Sequence, residues 1–137
     1  LLGMVPVPAS GLDRVLYHAA CALASNGLTA LRAVVDRVFA AAGGLTASQQ
    51  RLLADALMAA ALRASSDVGP GNALSGPVRR GDVPTVDAHL TSLQSAVPMA
   101  LTVYRAVMEQ ALALTKGLPP AIEDSLRRRL QPRAGDS

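Results

Sequence analysis

The stretch ALSGPVRRGDVPTVDAHL, from Ala73 to Leu90, lies between two alanine-rich apolar segments and breaks their pattern. Many residue choices can keep an apolar periodicity. A Gly76-Pro77 turn running through Arg79-Arg80-Gly81-Asp82 into a capped helix is a much narrower specification. Asp82 is a strong N-cap residue, and Pro84 is tolerated in the first turn because its missing N–H would have no helical partner there. The spacing predicts a shaped polar loop from Asp67 to Val78, then a helix from Asp82 to about Ala96. Polar groups on such a loop usually converge on something outside the core.

Helical signals continue on both sides. Upstream, Ser10-Gly11-Leu12-Asp13 resembles a capping box, and Leu12, Leu16, Ala19, Leu23, Leu31, Val34, Val38 and Ala42 recur at helical spacing. One long helix to about Ala42 is expected, bent near Asn26-Gly27 and stopped by Gly43-Gly44. Thr46-Ala47-Ser48-Gln49 is a second capping box, opening a helix to about Ser65. Downstream, Pro98 opens a helix to about Lys116 before Gly117. Pro119-Pro120 leads into a short charged helix ending near Leu130. The apolar stripes are read as core in the first instance.

Composition bounds the fold class. The chain has 137 residues, half of them apolar, with no Trp, one Phe and two Tyr. So much alanine with so few aromatic residues favours close-packed helices over sheets. The expectation is an all-α domain of about five helices over residues 10–130, with an extended lead-in segment at 1–9 and a frayed tail at 131–137. Net charge is +3, but twelve of the thirteen basic residues are Arg and several cluster at the C-terminal end without interleaved aromatics. That pattern argues against nucleic acid as a partner. The longest uncharged runs carry His, Asn, Gln or Pro and fall short of a membrane span. No signal-peptide pattern is present, so a cytoplasmic protein is expected. Cys21 is the lone cysteine, which excludes an intrachain disulfide and a thiolate metal cluster; its alanine-rich surroundings predict a small buried hydrophobe.

Two partial constellations carry chemistry. In the first, Ser25 follows His18 by seven residues and shares its helical face, while Asn26 is displaced by about 80°. His18 is a candidate acid or base, and Asn26 a group to hold a carbonyl or hydroxyl. In the second, Asp82, Thr85 and His89 form one helical stripe, and Arg80 precedes it where a carboxylate or phosphate could be clamped. Each has a plain structural alternative: a helix-surface histidine beside a bend, and a capped helix whose polar groups satisfy one another. His18, Asn26, Arg80, Asp82 and His89 are expected to approach one another around a cleft. No glycine-rich dinucleotide fingerprint, phosphate loop or metal-binding motif is present, so no cofactor and no metal are expected on this chain alone.

The pattern GPV-x-RGD-x-x-TV-x-x-HL, here Gly76 to Leu90, resembles the hallmark of the Rossmann-like family called domain of unknown function 2520. Tyr17-His18-Ala19-Ala20 followed by Ala24-Ser25-Asn26 is similar to the run that opens that family's helical half. The resemblance implies a fold like the C-terminal domain of 6-phosphogluconate dehydrogenase, with a nucleotide-binding Rossmann domain upstream and absent here. It also implies a homodimer, and NAD or NADP bound through the absent domain. The parent would be an NAD(P)-dependent oxidoreductase acting on a small acidic metabolite. Catalytic roles would fall to His18 and Asn26, and substrate binding to Ser25, Arg80, Asp82, Thr85 and His89. Better-known dehydrogenases of the superfamily place a Lys-x-x-x-Asn pair on the equivalent helix; this chain has no lysine there. A non-enzymatic helical interaction or assembly module explains the missing fingerprint and lysine equally well.

Overall fold

Asp13 starts the first helix. Its carboxylate accepts the N–H groups of Val15 and Leu16 at 2.9 and 3.1 Å, so the cap lies at Asp13, three residues beyond the Ser10 expected. The structure, a computed structural model, describes residues 10–131; the lead-in segment 1–9 and all of the predicted tail except Gln131 lie outside the described residues. From Arg14 to Ala42 the chain is helical throughout, as α1 (Arg14–Ala22), a π-helical turn (Leu23–Gly27) and α2 (Leu28–Ala42). The irregularity expected at Asn26-Gly27 therefore takes the form of a widened turn. Around it the Ser25 hydroxyl donates to the Cys21 carbonyl and the Thr29 hydroxyl to the Ser25 carbonyl, a back-bonding habit that loosens helical turns.

Gly43, at φ 71°, ends α2. The capping box forms as read: the Gln49 N–H donates to the Thr46 hydroxyl, and the Thr46 N–H to Gln49 Oε1. It opens α3 (Ala47–Val68), three residues longer than expected. The predicted loop 67–78 is largely helical instead. It holds two single turns, α4 (Pro70–Ala73) and α5 (Pro77–Arg80), each opened by a proline whose fixed φ is already helical. Then come α6 (Val83–Ala96), α7 (Pro98–Leu114) and α8 (Pro120–Leu130). The described residues contain no strand, and no helix among them is long and apolar enough to cross a membrane. The fold is all-α: counting the Arg14–Ala42 rod as one helix, the described residues form five long helices and two extra one-turn helices.

The core sits in the second half of the chain. Val78, Val86, Leu90, Leu93, Leu101, Leu112, Leu126 and Leu130 bury one another between α5, α6, α7 and α8, and Val34 and Val38 of α2 pack on the edge of that cluster. α2 and α3 form a hairpin beside it, held partly by Arg32, which reaches from α2 to Asp55 of α3 as well as to Asp36. α1 departs from the sequence reading. It has no buried residue, and its packing runs to the π turn that continues it. Leu12, Leu16 and Leu23, read as core, are exposed, and so is Cys21. Helical periodicity shows which face is apolar but not whether another element covers it, and among the described residues none buries a residue of α1.

Candidate functional site

The α5–α6 junction builds the main polar site. Residues 76 to 83 close on themselves: the Arg80 N–H donates to the Gly76 carbonyl at 3.3 Å and the Asp82 N–H to the Pro77 carbonyl at 2.8 Å. Arg79 donates to the Lys116 carbonyl at 3.1 Å, tying the turn to the end of α7. Val78 is buried beneath it. The junction is thus fixed from below and from the side, and Arg80 is left exposed at its tip.

Asp82 caps α6 as predicted. One carboxylate oxygen accepts the Thr85 N–H at 3.1 Å and the other the Thr85 hydroxyl at 2.7 Å. Those two bonds, the hydroxyl's first, hold the Asp82 carboxyl below the usual carboxylate range, and the charges of Arg80 and His89 act in the same direction. Two turns further along α6, His89 Nδ1 meets the Tyr104 hydroxyl at 2.9 Å, with the rings edge to face. Burial pushes the Tyr104 hydroxyl above its ordinary value. The contact occupies Nδ1 and leaves His89 Nε2 without a hydrogen-bond partner among the described residues, on an exposed side chain.

Tyr104 is the residue that the sequence reading missed. His89 and Tyr104 lie eight and seven residues from Val97, where α6 turns into α7. In an antiparallel helical hairpin, near-equal spacing from the turn brings two residues opposite each other. That symmetry, in a chain with two tyrosines, was the available signal.

The first constellation stays apart from the second. His18 is exposed on α1, and Ser25 and Asn26 are exposed in the π turn. Ser25 spends its hydroxyl proton on the Cys21 carbonyl. Among the described residues α1 packs chiefly on its own continuation and not on α5 or α6, so His18 is not brought to the Arg80–His89 stripe and the expected cleft does not form there. Beside His18, the contact with Cys21 raises the Tyr17 hydroxyl from its usual value. Among the described residues no group of three His, Cys, Asp or Glu could hold a metal ion.

Asp82 makes an acid-dependence prediction. Its carboxyl titrates lower in the folded chain than in the unfolded one, where the reference is 3.8. Its contribution is therefore complete above about pH 4 and is lost as pH falls through the lower folded value. Asn caps a helix about as well as Asp. Asp82→Asn should keep the melting temperature at pH 7 within about 3 °C, given a few degrees per kcal/mol, and should flatten its fall between roughly pH 4 and pH 2. Melts of both proteins across that range test this; parallel acid slopes would contradict it.

A family model described as "Domain of unknown function (DUF2520)" matches residues 1–111. No curated protein and no solved structure matches the chain.

Proposed function

The chain belongs to the DUF2520 family, and on that premise we propose that it is the helical, dimerising, substrate-side half of an NAD(P)-dependent oxidoreductase acting on a small acidic metabolite. One observation carries the reading. Among the described residues no hydrogen bond is made by the Arg80 side chain or by His89 Nε2, and both stand exposed at either end of a stripe whose middle, Asp82 and Thr85, is satisfied internally. Cationic and imidazole donors of this kind suit a carboxylate and a neighbouring hydroxyl or carbonyl. The stripe stands on the buried core of α5 to α8, so its groups are held in place rather than carried on a loose loop. Thr85 and Asp82 position it. The nicotinamide cofactor would be held by a domain preceding these residues, and cytoplasmic placement goes with such metabolism. The exposed apolar face of α1 favours a second reading, a helical assembly module without chemistry.

The test is an NMR titration of the 137-residue chain with malonate, a short 2-hydroxy acid and inorganic phosphate as probes. Malonate or the hydroxy acid should shift the His89 ring signals and the Thr85 amide. Arg80→Ala and His89→Ala should each weaken that binding by about tenfold, the loss of one modest polar contact. The chain alone should bind NADH or NADPH no tighter than about 100 μM, since it has no phosphate-cradling turn. Silence at His89 and Thr85 for every probe would overturn this reading in favour of the assembly module, and tight dinucleotide binding would overturn the placement of the cofactor on a preceding domain.

A further inference from the structure

The His89–Tyr104 contact has a direction, and that direction sets what His89 offers outward. His89 Nδ1 and the Tyr104 oxygen are 2.9 Å apart, with ring centroids at 5.8 Å and planes at 86°. Two arrangements fit that distance. Either the Tyr104 O–H donates to Nδ1, or Nδ1–H donates to the Tyr104 oxygen. A neutral imidazole carries one hydrogen, and the nitrogen without it is an acceptor. The first arrangement puts the hydrogen on Nε2, and the second leaves Nε2 a bare lone pair.

Two arguments select the first. Acid–base strength is one. A phenol is a stronger acid than a neutral imidazole N–H, and a bare imidazole nitrogen is a stronger base than a phenol oxygen, so O–H···N joins the better donor to the better acceptor. Burial, which raises the Tyr104 hydroxyl, keeps its proton in place to be donated. Polar satisfaction is the other. Tyr104 is half-buried against the core, on a stretch of α7 whose Leu101 and Arg105 are buried. Among the described residues its hydroxyl has no hydrogen-bond partner besides His89. Were Nδ1–H the donor, the hydroxyl's own hydrogen would need a second acceptor, and none of the described residues supplies one. His89 is exposed, so water serves Nε2 in either tautomer.

We infer that Tyr104 is a positioning residue: it holds neutral His89 in the tautomer with hydrogen on Nε2, so this end of the stripe takes an acceptor oxygen, of a carboxylate or carbonyl, and turns away an ammonium. The tautomer stands on the geometry of the pair; the ligand class rests on the function proposed above. Arg80, at the other end, is likewise a donor without an acceptor. Between them, Asp82 and Thr85 spend their groups on each other. A ligand along the stripe therefore meets donors at both ends. Nε2 grips a ligand oxygen and does not remove a proton from a ligand hydroxyl, since it already carries one.

Long-range proton–nitrogen NMR on the 137-residue chain, at about pH 8 and so above the ordinary histidine value of about 6.5, tests the tautomer. His18 is the internal reference, exposed and without a hydrogen bond among the described residues. His89 should show one protonated nitrogen, Nε2, and one bare nitrogen, Nδ1, while His18 shows averaged tautomers. Tyr104→Phe removes only the hydroxyl; helical circular dichroism should hold, and His89 should move to the His18 pattern. A wild-type His89 protonated on Nδ1, or averaged like His18, overturns the inference without any variant. The ligand class is tested with malonate and with β-alanine, which replaces one carboxylate by an ammonium. Malonate should bind at least tenfold more tightly to the wild type, and Tyr104→Phe should narrow that preference by about tenfold, the worth of one hydrogen bond. A preference that Tyr104→Phe leaves unchanged overturns the selective role of Tyr104. Failure of both probes to bind, with Nε2 protonated, overturns the proposed function and the ligand class and supports the tautomer assignment.

Discussion

Leu126→Ala is expected to cost about 3–5 kcal/mol of unfolding free energy, a large share of what a domain this size possesses. Leu126 is fully buried on α8, inside the cluster formed with Val78, Val86, Leu90 and Leu112. α8 packs on both α6 and α7, so a truncated side chain there would leave a void facing several helices. A void shared by rigid neighbours collapses poorly, which places the loss in the upper part of the range for leucine truncations. Leu52→Ala in α3 is the matched control: the chemical deletion is the same, but that leucine is 70% exposed, and its loss should stay within about 0.5 kcal/mol. Urea denaturation of both variants measures the difference. Equal losses would mean that the stabilising core extends across α2 and α3, contrary to where burial places it.

Local hydrogen-bond chemistry was legible in the sequence, and long-range coverage was not. Thr46 with Gln49 and Asp82 with Thr85 reach partners within three residues, and Pro98 brings its own helical φ to the start of α7, so these helix starts appear where the residues place them. The segment 67–78 misled because glycine and proline there punctuate two one-turn helices instead of a loop; proline at a first helical position and proline in a loop look alike without the fold. The stripe of α1 was correctly apolar but wrongly assigned to the core, and Cys21 with it. Amphipathic spacing cannot tell a face buried within its own domain from one left exposed. At the site, the Asp82–Thr85–His89 spacing was visible within one helix. The Tyr104 partner required knowing that α6 and α7 turn back on each other at Val97. The separation of His18 from Arg80 depends on where the rod leaves the core, and no local pattern encodes that.

Gly81→Val should destabilise the chain by about 3–5 kcal/mol and disturb the candidate site with it. Gly81 ends α5 in the left-handed region, at φ 69° and ψ 25°, immediately before the Asp82 cap. A side chain there carries two separable costs. The backbone conformation alone costs a non-glycine residue about 1–2 kcal/mol, and more for a β-branched one. A Cβ would also sit 2.9 Å from Ile122 Cγ2 and 3.1 Å from Leu118 Cδ2, side chains already packed against the core from α8 and the turn before it. Overpacking of that kind typically adds about 1–3 kcal/mol. Gly44→Ala separates the two costs. Gly44 has a nearly identical φ of 72°, but a Cβ there meets nothing within 4 Å, so its loss should be the conformational part alone, about 1 kcal/mol. Gly81→Ala should exceed Gly44→Ala by the packing cost. Relief of the clash must move either α8 or the α5–α6 turn, and the turn is the shorter element. The displacement therefore passes to the next residue, loosening the two bonds from Thr85 that hold the Asp82 carboxyl low. Gly81→Ala should then show a shallower loss of stability in acid than the wild type, whereas Gly44→Ala should retain the wild-type slope. Equal destabilisation by the two alanine variants, with both acid slopes unchanged, would show that α8 yields instead, and that the polar site does not depend on the packing beneath Gly81.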